Sequence, residues 1–297
     1  MHTLCKLPFF GVAEVSGADA AEFLHSQLSN HILDLQPGEA CFATYNSPRG
    51  RVLANMLVLR RADCFLLVMA ADLLEATIKR LRMFVLRSKT VFHTDSAWQV
   101  YGQSGADTGT DAAALKFAAE EGDNGLITLT LAGGNRMVLS PAPLPDADHP
   151  AAAEAWQAAE ILQGRPWISQ PTVESCVAQM LNQHLLGGVH FKKGCYPGQE
   201  IIARAHYLGK VKRSLYRLHS ETPLSAGEAI YPTDSLEACG TVVQAAPDGQ
   251  GLSGYIALAV IKDSVAQAAQ SAAASLTTAA GKLIDVVETV VDESASA

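Results

Sequence analysis

Three stretches of the chain place apolar residues at helical spacing. Residues 19–28 combine the polar pattern of a capping box with apolar positions three and four residues apart, which predicts a short helix. Residues 71–87 show the same spacing and predict a longer amphipathic helix. A third helix is predicted over residues 151–162, because Gly164 and Pro166 follow it as stop signals.

Apolar runs too short for helices alternate with turn signals and predict strands. Residues 51–59 and 64–69 are rich in valine and leucine and flank a short polar turn, as the two arms of a hairpin do. A Gly-Gly-Asn turn between residues 126–131 and 137–139 predicts a second hairpin. Further strands are expected at residues 90–93 and 99–102.

Proline and glycine divide the chain into regions of different character. Four prolines lie between residues 141 and 150, which excludes a helix or a central strand there and indicates a boundary between regions. After Arg213, short apolar runs separated by Gly, Pro and Asp predict a small all-β module. Residues 264–280 are a low-complexity segment rich in Ala, for which we expect a loosely attached helix or a linker.

The 297 residues are 48% hydrophobic and 18% charged, as expected of a globular protein rather than of a disordered chain. The net charge of −8 excludes a general nucleic-acid binder, yet residues 190–219 contain seven Lys or Arg against one Glu. The sequence shows neither a signal-peptide pattern nor a run of about twenty strongly apolar residues. We therefore expect a cytoplasmic protein with no membrane association and with reduced cysteines.

The most informative candidate for chemistry is Cys195. Gly194 precedes it, and residues 197–198 are Pro-Gly, the pair that a type II turn prefers at its two central positions. The cysteine is therefore predicted at the tip of a tight connection, where the lysines at residues 192–193 would favour its thiolate. The alternative is a surface turn that contains an inert, buried thiol.

The segment from Lys193 to Glu200 resembles the K-G-C-Y-x-G-Q-E signature of the YgfZ family, folate-binding relatives of the glycine-cleavage T protein. Gln179 and Asn182 fall where that family has P-Q-x-x-N-L, and the resemblance runs from about residue 17 to about residue 213. The signature residues of this chain are Lys193, Gly194, Cys195, Tyr196, Gly198, Gln199 and Glu200.

The resemblance implies an α+β protein with a three-lobed, glycine-cleavage T-protein-like fold. The first domain is expected to be discontinuous, built from residues 1–45 and 141–210, and to bind folate. An α/β domain of the ferredoxin-like type is expected to be inserted at residues 46–140. A small C-terminal β-barrel is expected over residues 211–297, including the low-complexity segment.

The resemblance also implies tetrahydrofolate, or another folate derivative, as the cofactor. Trp156 and Phe10 fall where the family has tryptophans implicated in folate binding, which makes both residues candidates for stacking on the pterin. The carboxylates of folate require cations, for which the candidates are Arg49, Arg51, Lys192 and Lys193. The other predicted folate contacts are Asn55, Gln179 and Asn182. Without the resemblance, the two aromatic residues would be assigned to the core.

The function implied is that of an accessory protein for iron–sulfur enzymes, including radical enzymes that modify tRNA. The expected partners are iron–sulfur client enzymes or cluster-assembly proteins, with no direct contact to nucleic acid. In this interpretation folate binds in a channel, and Cys195 at its mouth acts as a transient thiolate. No metal site is predicted, because the spacing of His184, His190, Cys195 and His206 matches no zinc pattern.

Two departures from the T protein argue against its reaction. Asn55 falls where the T protein has a carboxylate on its first strand, and Leu162 falls where many relatives have a glutamate. An amide cannot serve as an ionised acid or base, so we expect aminomethyl transfer to be lost. A divergent tetrahydrofolate-dependent transferase remains the first alternative, and an RNA-contacting scaffold that uses residues 190–219 is the second.

Overall fold

The computed structural model describes residues 4–95, 97–105, 116–209, 211–249, 253–271 and 274–290. The strands of the first sheet are β1 (Leu4–Lys6), β2 (Phe10–Ser16), β3 (Glu39–Asn46), β4 (Val52–Arg60), β5 (Cys64–Ala70), β6 (Val91–His93), β7 (Gln99–Gln103), β8 (Phe117–Glu121), β9 (Ile127–Thr130) and β10 (Arg136–Ser140). The helices are α1 (Ala20–Gln27), α2 (Ala71–Arg82), α3 (Pro150–Leu162), α4 (Gln199–Tyr207) and α5 (Asp263–Gln270).

The first ten strands form one antiparallel sheet in the order β1-β7-β10-β9-β8-β3-β4-β5-β2-β6. Both predicted hairpins are confirmed, since β4 pairs with β5 and β9 pairs with β10. The sheet also continues across the predicted domain boundary after residue 45, because β3 pairs with β4 along most of its length. The division of the chain into lobes stays a prediction.

Strand β5 separates two parts of the hydrophobic core. Phe65, Leu67 and Met69 point into one cluster, which also contains residues of α1 and α2. Leu66 and Val68 point into the other cluster, which contains Trp156 of α3. Successive side chains of a strand face opposite sides, so a strand covered on both sides reads as a continuous apolar run. This explains why residues 64–70 show no polar alternation.

The predicted C-terminal β-barrel is confirmed. Its strands are β11 (Arg213–Ser220), β12 (Ala229–Pro232), β13 (Gly240–Pro247), β14 (Tyr255–Lys262), β15 (Leu276–Thr278) and β16 (Leu283–Thr289). The order is β11-β14-β13-β12-β15-β16, and β16 pairs back to β11 to close the barrel. The expectation for residues 264–280 was right about a helix and wrong about its loose attachment: α5 buries Ala266 in the barrel core, and β15 is a strand of the barrel wall.

Two predicted helices differ in detail from those observed. Asp19 makes no capping hydrogen bond to α1, because its carboxylate accepts instead from the backbone N–H of Lys89 at 2.7 Å. Helix α2 ends at Arg82 although the apolar spacing continues, and Leu86 then adopts a left-handed conformation with φ of 42°. None of the helices formed by the described residues has the length and apolar character needed to cross a bilayer.

Candidate functional site: the signature loop and an aromatic cavity

The predicted type II turn at Pro197–Gly198 is confirmed. Gly198 has φ of 79° and ψ of 0°, and the N–H of Gln199 donates to the carbonyl of Tyr196 at 3.2 Å. A Cβ atom at Gly198 would lie 2.6 Å from the carbonyl oxygen of Ser47, so this position requires glycine for its space as well as for its backbone angle. The turn leads directly into α4.

Lys193 fixes the other side of the loop. Its side chain is buried, and its Nζ donates to the carbonyl oxygens of His25 and, at 2.6 Å, of Leu28. These carbonyls lie at the C-terminal end of α1, where a helix favours a cation. Burial lowers the pKa of Lys193 to about 8. The prediction that Lys193 binds a folate carboxylate is not supported, because its ammonium is already engaged by backbone carbonyls.

Cys195 is held at the surface between these two anchors. It is exposed, whereas the cysteines at positions 5, 41, 64, 176 and 239 are buried, and all six are free thiols. Among the buried ones, burial raises the pKa of Cys41 to about 12, which makes that thiol inert at neutral pH. The expected position at the tip of a tight connection is confirmed, and the alternative of a buried Cys195 is wrong.

Three imidazoles surround the base of the loop. The ring centroids of His25 and His31 are 4.4 Å apart, and those of His31 and His190 are 5.2 Å apart. Burial, reinforced by the charge of Lys193, lowers the pKa of His25 to about 4, and burial also lowers the pKa of His190. His25 is therefore neutral at pH 7. No group of three potential ligands in the described ranges is arranged to hold a metal ion.

The structure brings several other predicted residues to the signature loop. The exposed Arg49 precedes Gly50, and this turn packs against Gly198 of the loop. Arg51 donates to the carbonyl of Ser175 at 2.8 Å. The remaining residues near the loop are Gln179, which donates to the carbonyl of Ile202 in α4, and the exposed Lys192 and Glu200. Gln179 therefore holds the helix that follows the loop, and Arg51 holds the backbone at Ser175.

Phe10 lines a cavity of about 320 Å³ that lies elsewhere in the molecule. Its lining residues are Phe9, Phe10, Ala70, Gln157, Trp167, Ile168, Ser169, Leu224, Ser225, Ala226, Val243, Gln244 and Ala245. The ring centroids of Phe10 and Trp167 are 4.6 Å apart in an edge-to-face arrangement. No residue of the signature loop lines this cavity, so the expectation that Cys195 lies at its mouth is not supported, and Arg49, Arg51 and Lys192 do not line it either.

Trp156 lies behind this cavity rather than in its wall. Its side chain is 0% exposed, and its indole N–H donates to the carbonyl of Arg136 at 3.1 Å. Gly102 packs directly on the indole, where a Cβ atom would come within 2.7 Å of the ring. Because a ligand needs a free ring face for stacking, the structure gives Trp156 no direct contact with one.

Asn55 is a positioning residue for the cavity wall. Its amide nitrogen donates to the carbonyl of Pro166, and its amide oxygen accepts from the N–H of Ile168, each at 2.8 Å. These bonds fix the backbone on both sides of Trp167. The side chain of Gln244, reaching from the barrel, accepts from the N–H of Trp167 at 3.0 Å. Both ends of the Asn55 amide are therefore bonded to backbone, and direct contact between Asn55 and folate stays a prediction.

A buried ion pair supports the same segment. Arg165 binds Glu160 through two hydrogen bonds of 2.6 and 2.9 Å, and the two side chains are 3% and 0% exposed. Asn135 donates to the same carboxylate at 2.9 Å, and the indole N–H of Trp167 reaches it at 3.4 Å. Glu160 is therefore fully committed to neighbouring groups and is not free for acid–base chemistry.

Asn182 lies neither at the signature loop nor at the aromatic cavity. It adopts a left-handed conformation with φ of 53°, and its amide donates to the carbonyl of Val290 beside β16. It lines a separate cavity with Leu162 and Gly164. The predicted folate contacts are therefore distributed over three locations, and the structure does not bring them together around one ligand.

Sequence reasoning missed four residues that shape the aromatic cavity, namely Trp167, Gln244, Glu160 and Arg165. Trp167 carried a usable signal, since it is one of three tryptophans and directly follows a Gly-x-Pro turn. Gln244 carried none, because its partner Trp167 lies 77 residues away in sequence. Glu160 and Arg165 carried none, because they look like ordinary surface charges.

The chain is similar to known proteins both in sequence and in fold. No family model matches the chain. The chain is 28% identical to the tRNA-modifying protein YgfZ of Edwardsiella ictaluri over 93% of this chain and 90% of that protein, and 27% identical to that of Enterobacter sp. over 73% and 71%. The crystal structure of the glycine cleavage system aminomethyltransferase T from Bartonella henselae superposes with a TM-score of 0.70 at 14% identity, covering 97% of this chain and 85% of that chain. The chain is thus a homologue of the YgfZ tRNA-modifying proteins and has the fold of the glycine-cleavage T protein.

Proposed function

We propose that this protein is a folate-binding accessory factor for iron–sulfur enzymes, including radical enzymes that modify tRNA. The observation that carries the proposal is Cys195, a free and exposed thiol on a loop fixed by Lys193 and Gly198. The similarity to proteins named for tRNA modification supports it.

The aromatic cavity is the proposed folate site. Phe10 and Trp167 offer apolar ring surfaces, and Gln157 and Gln244 offer amide groups, a combination that suits a flat heterocycle with polar edges. A volume of about 320 Å³ is at the lower end for ligand sites, so the ring system enters and the glutamate tail stays outside. None of the Lys and Arg residues that the structure describes lines the cavity, which supports a position of the carboxylates outside it.

Cys195 is the proposed contact with the cluster. The thiolate is the form of cysteine that binds iron, and exposure allows a partner protein to approach it. In this proposal Cys195 ligates a cluster while it passes to or from a client, and the cluster is cargo rather than a resident cofactor. The neighbouring basic residues Arg49 and Lys192 are exposed and would face such a partner.

Aminomethyl transfer is disfavoured by the chemistry available at the cavity. Asn55 supplies an amide whose two ends already bond to backbone groups. The nearest buried carboxylate, Glu160, is neutralised by Arg165. Neither residue offers a free carboxylate to a bound folate.

The proposal predicts that cells lacking this gene lose thiolated or methylthiolated nucleosides in their tRNA, measured by mass spectrometry of digested tRNA. Expression of the wild-type chain should restore them. The transferase alternative predicts unchanged tRNA together with tetrahydrofolate-dependent consumption of an aminomethyl donor by the purified protein, and that result would overturn the proposal. The RNA-scaffold alternative predicts tight tRNA binding that weakens steeply with salt.

A further inference from the structure

A second cavity of about 320 Å³ lies against α2 and is lined by different residues from those of the aromatic cavity. Its lining residues are Tyr45, Leu53, Leu73, Ala76, Thr77, Lys79, Arg80, Met83, Gln170 and Val173. They come from α2, from β3 and β4, and from the segment that follows Ile168, and none of them lines the cavity next to Phe10. The proposed function assigns no role to this second cavity.

The walls of this second cavity are mainly apolar. Tyr45 and Leu73 form a buried part of the wall, and Met83 stands at the exposed end of α2 with 61% of its side chain accessible. An apolar cavity of this size accommodates a body of one or two rings, and each buried ring face contributes through removal of apolar surface from water.

Two cations, Lys79 and Arg80, open into the same space. Within the described ranges neither Lys79 nor Arg80 has an Asp or Glu oxygen within 4.0 Å. The Nε atom of Arg80 is buried and makes no hydrogen bond. The nearby Asp72 is occupied, since it accepts from the backbone N–H of Gln170 at 2.9 Å.

The surrounding sequence adds to this positive charge. Residues 76–94 contain five Lys or Arg and no Asp or Glu, in a protein whose net charge is −8. Burial raises the pKa of the Tyr45 hydroxyl, with the neighbouring Arg80 acting against that rise, so the hydroxyl remains a neutral donor at pH 7. A buried guanidinium N–H without an acceptor is costly, and an anionic ligand group would satisfy it.

We propose that this cavity binds a small organic carboxylate with an apolar, one- or two-ring body. The body fills the space between Tyr45, Leu73 and Val173, and the carboxylate accepts from Arg80. Lys79 at the rim and the basic run raise the local concentration of anions. The site is independent of folate binding, because it shares no lining residue with the aromatic cavity.

The test uses 1-naphthoate and its neutral isostere 1-naphthamide as probes, titrated into the full-length protein by calorimetry. The wild type should bind naphthoate saturably and at least about tenfold more tightly than naphthamide, because the bond to the guanidinium is charge-assisted. Arg80→Gln should abolish this preference. The matched control is Arg87→Gln, an exposed residue outside the cavity lining, which should retain it.

A second variant keeps the test informative if Arg80→Gln fails to fold. Ala76 is exposed on α2 and lines the cavity, so Ala76→Phe should fill the space and block both probes without disturbing the core. Thermal unfolding of each variant reports folding. The proposal is overturned if the wild type binds neither probe saturably, or if a folded Arg80→Gln or Ala76→Phe variant binds naphthoate as tightly as the wild type does.

Discussion

Replacing Cys195 with serine is expected to abolish restoration of tRNA modification in cells lacking this gene, while the protein stays folded. The thiol is exposed and bonds to no other side chain in the loop, so its loss should change the free energy of unfolding by less than about 0.5 kcal/mol. Serine matches the size of cysteine but cannot provide a thiolate. The measurement is mass spectrometry of modified nucleosides, paired with a melting curve of the purified variant.

A relocated thiol provides the control for this experiment. Leu236 is fully exposed in the connection between β12 and β13, so Leu236→Cys places a thiol on the surface far from the signature in sequence. Leu236→Cys alone should restore modification, and the double variant with Cys195→Ser should not. Full restoration by Cys195→Ser would reduce this thiol to a surface feature without function.

The largest expected effect on stability is that of Glu160→Gln. This change leaves the guanidinium of Arg165 buried without a counter-ion, and breaking one side of such a pair costs about 3–5 kcal/mol. It also weakens the bonds that Asn135 and Trp167 make to the carboxylate. Urea denaturation of the variant and the wild type measures the difference.

A double variant that carries neither charge tests whether the loss of stability comes from the unpaired charge of Arg165. The double variant Glu160→Leu with Arg165→Met removes both charges and should recover most of the loss, because apolar replacement of a buried pair is often neutral. A destabilisation below about 1 kcal/mol for Glu160→Gln would show that this ion pair does not hold the segment around Trp167.

The predictable part of this fold rests on local signals. The hairpins follow from valine- and leucine-rich runs that flank polar turns, and the turn at Pro197–Gly198 follows from the fixed φ of proline and the positive φ that glycine tolerates. The barrel follows from short apolar runs between Gly, Pro and Asp. Each of these signals is contained within about ten residues, which is why the sequence alone sufficed.

The unpredictable part rests on contacts between distant segments. Lys193 looked like a residue for a thiolate or a carboxylate, but its partners are carbonyls 165 and 168 residues earlier in the chain. Trp156 and Trp167 are close in sequence, yet the first is enclosed by Gly102 and the second lines the cavity. Asp19 lost its expected capping role to the N–H of Lys89 for the same reason.

The most direct test of the account is a calorimetric titration of the purified protein with 5-formyltetrahydrofolate, a chemically stable folate. We expect saturable binding of one equivalent to the wild type and to Cys195→Ser. Ala226→Trp, which places an indole in the aromatic cavity, should weaken binding at least about tenfold, whereas Ala151→Trp on the exposed start of α3 should have no effect. Absence of binding to the wild type, or undiminished binding to a folded Ala226→Trp variant, would contradict the placement of folate in this cavity.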